Sequence, residues 1–236
     1  MTASPGAPNW TGLLAGAVAH DINNFVQGVS SARSLAGAPG AMGAVTAETE
    51  AIVEDDLEQL RKLGGRLRAL ASAARQGAAT RLADACADAI AEVDGPLEQM
   101  RADSIPADLC VVGPAAAVTT AIASLMEHAL TASPAGAAVS LTVRRPRAAG
   151  VTLAEGTRGA APGSPVIVEI AAPNATQLGS INRARLDVVL ASSLAELRGD
   201  AHLVLGGAIA DAVGGAVYIA SDASTGLLLA LQLTVA

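Results

Sequence analysis

The chain has 236 residues, 51% of them apolar but only 1% aromatic, and a net charge of −7. That length holds one large domain or two small ones, with a core built from Ala, Val, Leu and Ile. The acidic balance leaves no basic patch to neutralise phosphates, which excludes a nucleic-acid surface.

Residues 1–9 are a Pro/Ala/Ser leader, expected to be disordered. They lack the basic start and apolar stretch of a signal peptide. From about Trp10 to Leu35, Leu14, Val18, Ile22, Phe25, Val29 and Ala32 recur every three or four residues, as on one face of a helix. His20 falls on the opposite, polar side, near Gly16, Asn24 and Gln27. In His20-Asp21-Ile22-Asn23-Asn24 an acid follows the histidine directly and an amide follows one turn later. A neutral imidazole is a nucleophile near neutral pH. Asp21 can orient it or take its proton, and Asn24 can direct water or a phosphate on the same face. His20, Asp21 and Asn24 are therefore the candidate catalytic residues.

Ala36–Ala44 is a Gly/Pro break. A second helix is expected from about Thr46 to Gln76. There Val53, Leu57, Leu60, Leu67, Ala71 and Ala74 approximate a heptad seam, widened by Leu63 and Leu70. Glu54-Asp55-Asp56 and Arg61-Lys62 read as a solvated face with helical charge pairing. Two such helices form a hairpin, and a hairpin cannot bury two broad apolar faces alone. Two copies forming a four-helix bundle can, so a homodimer is expected.

The remainder, from about Thr80, mixes helix and strand. Arg81–Ala91, Gly113–Thr131, Asn182–Arg198 and Leu203–Val213 read as helices. Val139–Arg145, Val166–Ile170, Ala216–Ala220 and Leu227–Val235 alternate like strands. Arg147–Ser164 reads as a long loop and Ser221–Gly226 as a turn. This pattern predicts an α+β sandwich with helices on one face of a sheet, and no internal repeat. The expected division is 1–9 leader, 10–78 helical hairpin and 79–236 sandwich. Cys86 and Cys110 form no metal or redox motif and read as buried thiols in a reducing compartment. The most membrane-like window, Ala201–Ala220, contains His202, Asp211 and Gly214-Gly215, and reads as helix, turn and strand. A cytoplasmic protein with no membrane contact is expected.

The segment LLAGAVAHDINNFVQGV over Leu13–Val29, followed by a second helix and an α+β region, resembles the catalytic core of bacterial two-component histidine kinases. The C-terminal Gly214–Ser221 stretch, with Ser224-Thr225-Gly226 and an alternating strand, resembles that family's closing hairpin. The resemblance implies a dimerisation and phosphoacceptor hairpin centred on His20, then an ATP-binding domain of the Bergerat type. It also implies response-regulator receiver domains as partners, which bring the aspartyl phosphate and Mg2+.

The family's ATP boxes are degenerate here. Ser124 and His128 stand where the first box has two asparagines, the second of them a Mg2+ ligand. The next box, D-x-G-x-G, corresponds to Ala171-Ala172-Pro173-Asn174-Ala175, with Ala172 in place of adenine recognition. The last, G-x-G-L, corresponds to Asp200-Ala201-His202-Leu203, and an acid there repels phosphate. The expectation is a domain with no cofactor of its own and no metal site. His128 and His202 read as incidental, without ligand-spaced neighbours. The resulting reading is a histidine phosphotransferase of the ChpT-like type, relaying a phosphoryl group between receiver aspartates through His20. Two alternatives remain: a divergent kinase that autophosphorylates from ATP, and a non-catalytic dimeric scaffold that binds receivers.

Overall fold

Helices α1 (Trp10–Ala36) and α2 (Ala44–Ala73) lie side by side as a hairpin against a mixed layer of helix and sheet. The computed structural model describes residues 10–36, 44–73, 78–93, 100–102, 105–144, 163–173, 175, 181–191, 200–222 and 226–236. The expected leader and most of the expected break and long loop lie outside the described residues. After the hairpin come β1 (Ala79–Arg81), α3 (Leu82–Glu92), β2 (Met100–Ala102), β3 (Cys110–Val112) and α4 (Ala115–Thr131). Then follow β4 (Val139–Arg144), β5 (Pro165–Ala172), β6 (Ile181–Arg185), α5 (Leu186–Ala191), α6 (Ala201–Ala212), β7 (Ala216–Asp222) and β8 (Gly226–Thr234).

Six strands form one sheet in the order β2-β4-β5-β8-β7-β6, and β1 pairs with β3 in a separate two-stranded ladder. All neighbours in the large sheet are antiparallel except β2 and β4. The period-2 pattern explains which face is covered. Val139 and Leu141, then Val166, Val168, Ile170 and Ala172, then Leu227, Leu229, Leu231 and Leu233 are all buried. The register puts them side by side, with Ile170 opposite both Leu141 and Leu229. α4 and α6 pack on this sheet and against each other. α4 is buried nearly all round, which suits its run of Ala, Thr and Ser. Small side chains let a helix approach a sheet on one side and three other helices on the rest.

Gly206 and Gly207 settle how α6 fits between its neighbours. A side chain on Gly206 would press into Leu125 of α4, and one on Gly207 would overlap the ring of Trp10 on α1. α6 then ends in a Schellman motif. The Gly215 N–H donates to the Ala210 carbonyl at 2.8 Å, and the Gly214 N–H to that of Asp211 at 3.0 Å. Gly214 takes the left-handed conformation, at φ +78°. The core is continuous across the two parts of the chain. Ala17 and Ala73 of the hairpin belong to it, and Trp10, Leu13, Leu14, Leu67 and Leu70 pack against it.

The architecture is the expected helical hairpin followed by an α/β sandwich, with two departures. Ile181–Arg185, of which Asn182–Arg185 is expected in a helix, is an edge strand paired with β7, and only Leu186–Ala191 is helical; 192–199 lie outside the described residues. Pairing with Tyr218 and Ile219 overrides the local helical preference there. The three-residue strands β1, β2 and β3 are too short to show a period. Cys110 is half-buried in β3 rather than buried, while burial pushes the Cys86 thiol up to about 12 and leaves it inert.

Candidate functional site

His20 sits midway along α1 with its side chain 59% exposed. Helical geometry brings Asn24 onto the same face, its Nδ2 3.0 Å from His20 Nδ1, and Asp21 Oδ1 lies 3.8 Å from the same nitrogen. Both neighbours thus converge on Nδ1 and leave Nε2 as the ring nitrogen open to solvent. An amide donating to Nδ1 keeps the proton on Nε2. Turning the amide over, or swinging Asp21 onto Nδ1–H, moves the proton to Nδ1 and frees the Nε2 lone pair. An Asp21 contact with Nδ1–H therefore stabilises the form of the ring whose Nε2 lone pair is free.

Asp21, its side chain still 39% exposed, lines a cavity of about 280 Å³ between α1, α2 and α6, which it shares with Asn24, Asp56, Arg66 and His202. Burial pushes the Asp21 carboxyl above its ordinary value. The charges of His202 and His20 oppose that rise, and Asp200 adds to it.

Behind the cavity lies a polar cluster that joins α2, α4 and α6. Arg66 donates to Glu127 in an ion pair screened from solvent on both sides. His202 Nδ1 lies 2.8 Å from Arg66 Nη1 and 3.0 Å from Glu127 Oε2. A neutral ring accepts from Arg66, and a protonated ring donates to Glu127. One step further in, His128 Nδ1 lies 2.6 Å from Asp200 Oδ2. Asp200 also caps α6, its Oδ1 accepting from the Leu203 N–H at 2.8 Å. Burial alone raises Glu127 and Asp200. The hydrogen bond and charge of His202, with Arg66, outweigh it for Glu127, and those of His128, with the Leu203 N–H, outweigh it for Asp200, so both stay below the ordinary carboxyl range.

His128 and His202 are thus not incidental, and Asp56 does not belong to a solvated face. The Asp56 Oδ2 is buried without a hydrogen bond, packed where Gly28 of α1 has no side chain. Arg61 forms a surface pair at 3.5 Å with Glu58, three residues earlier, which lies outside the acidic run read in the sequence. Ser124 is fully buried and its hydroxyl has no hydrogen-bond partner among the described residues. Ala172 ends the buried face of β5, its carbonyl accepting from Ala175 N–H at 3.1 Å. Arg66 and Glu127 carried no signal in the sequence. Their contacts span 61 and 136 residues, and no local spacing reports such pairs. Among the described residues no group of three or more His, Cys, Asp or Glu is arranged to hold a metal ion.

No protein-family model and no curated protein sequence matches the chain. Among solved structures, the Acinetobacter baumannii histidine kinase AdeS is similar with a TM-score of 0.58 at 12% identity, over 91% of this chain and 97% of that one. The fold is histidine-kinase-like. The structure of full-length ShkA in complex with AMPPNP is similar with a TM-score of 0.51 at 14% identity, over 91% of this chain and 44% of that one. At these identities the shared property is the fold, with a helical pair ahead of an antiparallel sheet covered by helices. No helix among the described residues is long and apolar enough to cross a membrane.

Proposed function

We propose that this chain is a histidine phosphotransfer protein of a two-component phosphorelay. His20 takes a phosphoryl group from one receiver aspartate and passes it to another, without drawing on ATP. The observation that carries this reading is the His128–Asp200 pair. By the resemblance read in the sequence, these residues correspond to a Mg2+-binding position and to the phosphate-binding helix terminus. Here they bind each other at 2.6 Å, and the Asp200 carboxylate occupies the anion position at the start of α6. A second anion there meets a negative charge already in place. With Ala172 in the adenine box and Ser124 buried, the residues do not fit ATP and Mg2+.

The acceptor face is unobstructed by comparison. The Nε2 lone pair attacks the phosphorus, the bond from phosphorus to the receiver carboxylate oxygen breaks, and an N–P bond forms. The receiver aspartate leaves as a carboxylate while Nδ1–H is held by Asp21. Mg2+ and the compensating cation belong to the receiver. Ile22, Val26, Ile52 and Leu57 are exposed apolar side chains on the hairpin, which favours a second copy completing a four-helix bundle.

The rival reading is an ATP-dependent kinase, and the AMPPNP in the ShkA structure favours it. Labelled ATP and a labelled phospho-receiver separate the two. We expect base-stable, acid-labile label on His20 from the phospho-receiver and none from ATP with Mg2+. Label on His20 from ATP alone overturns the reading. Receiver binding and signalling output that persist unchanged in His20→Ala assign the chain to a scaffold role instead.

A further inference from the structure

Resting on that reading, we propose that His202 is a positioning residue for the phosphoacceptor site. From the first turn of α6 it lines the same cavity as Asp21 and orients that carboxylate towards His20. The α/β layer is then a working part of the acceptor site, and its degenerate ATP-box residue has a new task.

The groups packed around Asp21 come from four elements. α1 brings His20, α2 brings Asp56 and Arg66, α6 brings Asp200 and His202, and α4 stands behind with Glu127 and His128. Most of these charges are committed elsewhere. Arg66 donates to Glu127, and Asp200 is bound by His128 and by the Leu203 N–H. The Asp56 carboxylate lies against Gly28. His202 differs from these, because it lines the cavity with Asp21 while only its Nδ1 edge is engaged. With Nδ1 held on Glu127 and Arg66, Nε2 is the ring nitrogen left to the cavity. Burial raises the Asp21 carboxyl, and the charge of His202 opposes that rise together with the charge and hydrogen bond of His20. Arg66 and Glu127 fix the ring, so α2 and α4 set the geometry that reaches Asp21.

The test uses the full-length chain and two readouts. The first is the 13C titration of the Asp21 carboxyl, identified by its absence in Asp21→Asn. In His202→Gln we expect its midpoint to move to higher pH, and in His202→Lys to return towards the wild-type value. An unchanged midpoint in His202→Gln, or one that His202→Lys does not restore, overturns the proposal. The second readout is labelling of His20 by potassium phosphoramidate, in which the P–N bond of the donor breaks, ammonia leaves and the Nε2–P bond forms. We expect the acid limb of the labelling rate to shift to higher pH in His202→Gln, with a severalfold loss at mildly acidic pH. No further shift is expected in the Asp21→Asn background. An equal shift in that background overturns the proposal. The carboxyl titration reads the His202–Asp21 coupling alone, and labelling of His20 reads the phosphoacceptor role alone, so failure of one is distinguishable from failure of the other.

Discussion

His20 and His128 make the same kind of contact in opposite surroundings. Each imidazole presents Nδ1 to a polar neighbour, Asn24 in one case and Asp200 in the other. His20 is 59% exposed on α1, whereas His128 is 5% exposed inside the α/β layer. The exposed ring keeps Nε2 for chemistry. The buried ring spends Nδ1 on its contact with Asp200 and leaves its Nε2 enclosed, with no hydrogen-bond partner among the described residues. The partner alone therefore does not make a histidine reactive; access to the second nitrogen does.

Removing each ring is the hardest test of that contrast. His128→Ala leaves the Asp200 carboxylate facing a hole, and we expect a loss of roughly 3 kcal/mol of stability, read as a lower urea midpoint at unchanged slope. His20→Ala is expected to stay within about 0.5 kcal/mol of wild type while abolishing the acid-labile label. A stability loss in His20→Ala that matches His128→Ala breaks the contrast.

A smaller effect is expected where the hairpin meets α6. Gly207→Ala pushes the ring of Trp10 off its seat and should cost about 1–3 kcal/mol. Trp10 is the single tryptophan, so its emission reports the displacement directly as a red shift. An unshifted spectrum with full stability removes Trp10 from the docking contact.

The smallest effect lies in acid and sharpens the comparison from the other side. Asp200 and Glu127 are held below their ordinary values in the folded chain, so the unfolded chain takes up their protons first. Their stabilisation is complete above the ordinary carboxyl value of about 4 and is lost as pH falls through the lower folded values. Asp21 is shifted the other way, so its contribution is present at low pH and is lost as pH rises through its raised folded value. Against wild type, Asp200→Asn should be destabilised at neutral pH and converge with it in acid. Asp21→Asn should show its advantage at neutral pH.

The sequence made the layered plan legible because periodicity reports burial. Leu14, Phe25 and Ala32 marked a helix, although Ile22 of the same face is 44% exposed, and the alternation of Val166–Ile170 and Leu227–Val235 marked strands that do pair. It also placed His20, Asp21 and Asn24 on one stretch of helix, since spacing of one and four residues is local geometry. What it hid was long-range. Arg66, Glu127 and His202 meet only because α2, α4 and α6 pack together, and two of the three drew no notice in the sequence while His202 looked idle. Asp56 was misjudged for a related reason. Its run of three acids looked solvated, and only the missing side chain of Gly28 on the facing helix makes room to bury it. The edge strand Ile181–Arg185 was missed because its pairing partner lies in β7.

The core that runs from Ala17 and Ala73 into the sheet has a consequence for how the chain can be taken apart. Parts joined by a shared interior have given up modularity. Cutting after α2 would strip Leu13, Leu67 and Leu70 of their neighbours and uncover α6 at the same stroke. The hairpin is better regarded as one wall of a single building than as a detachable annex, and calorimetry on the intact chain should record one melting event rather than two.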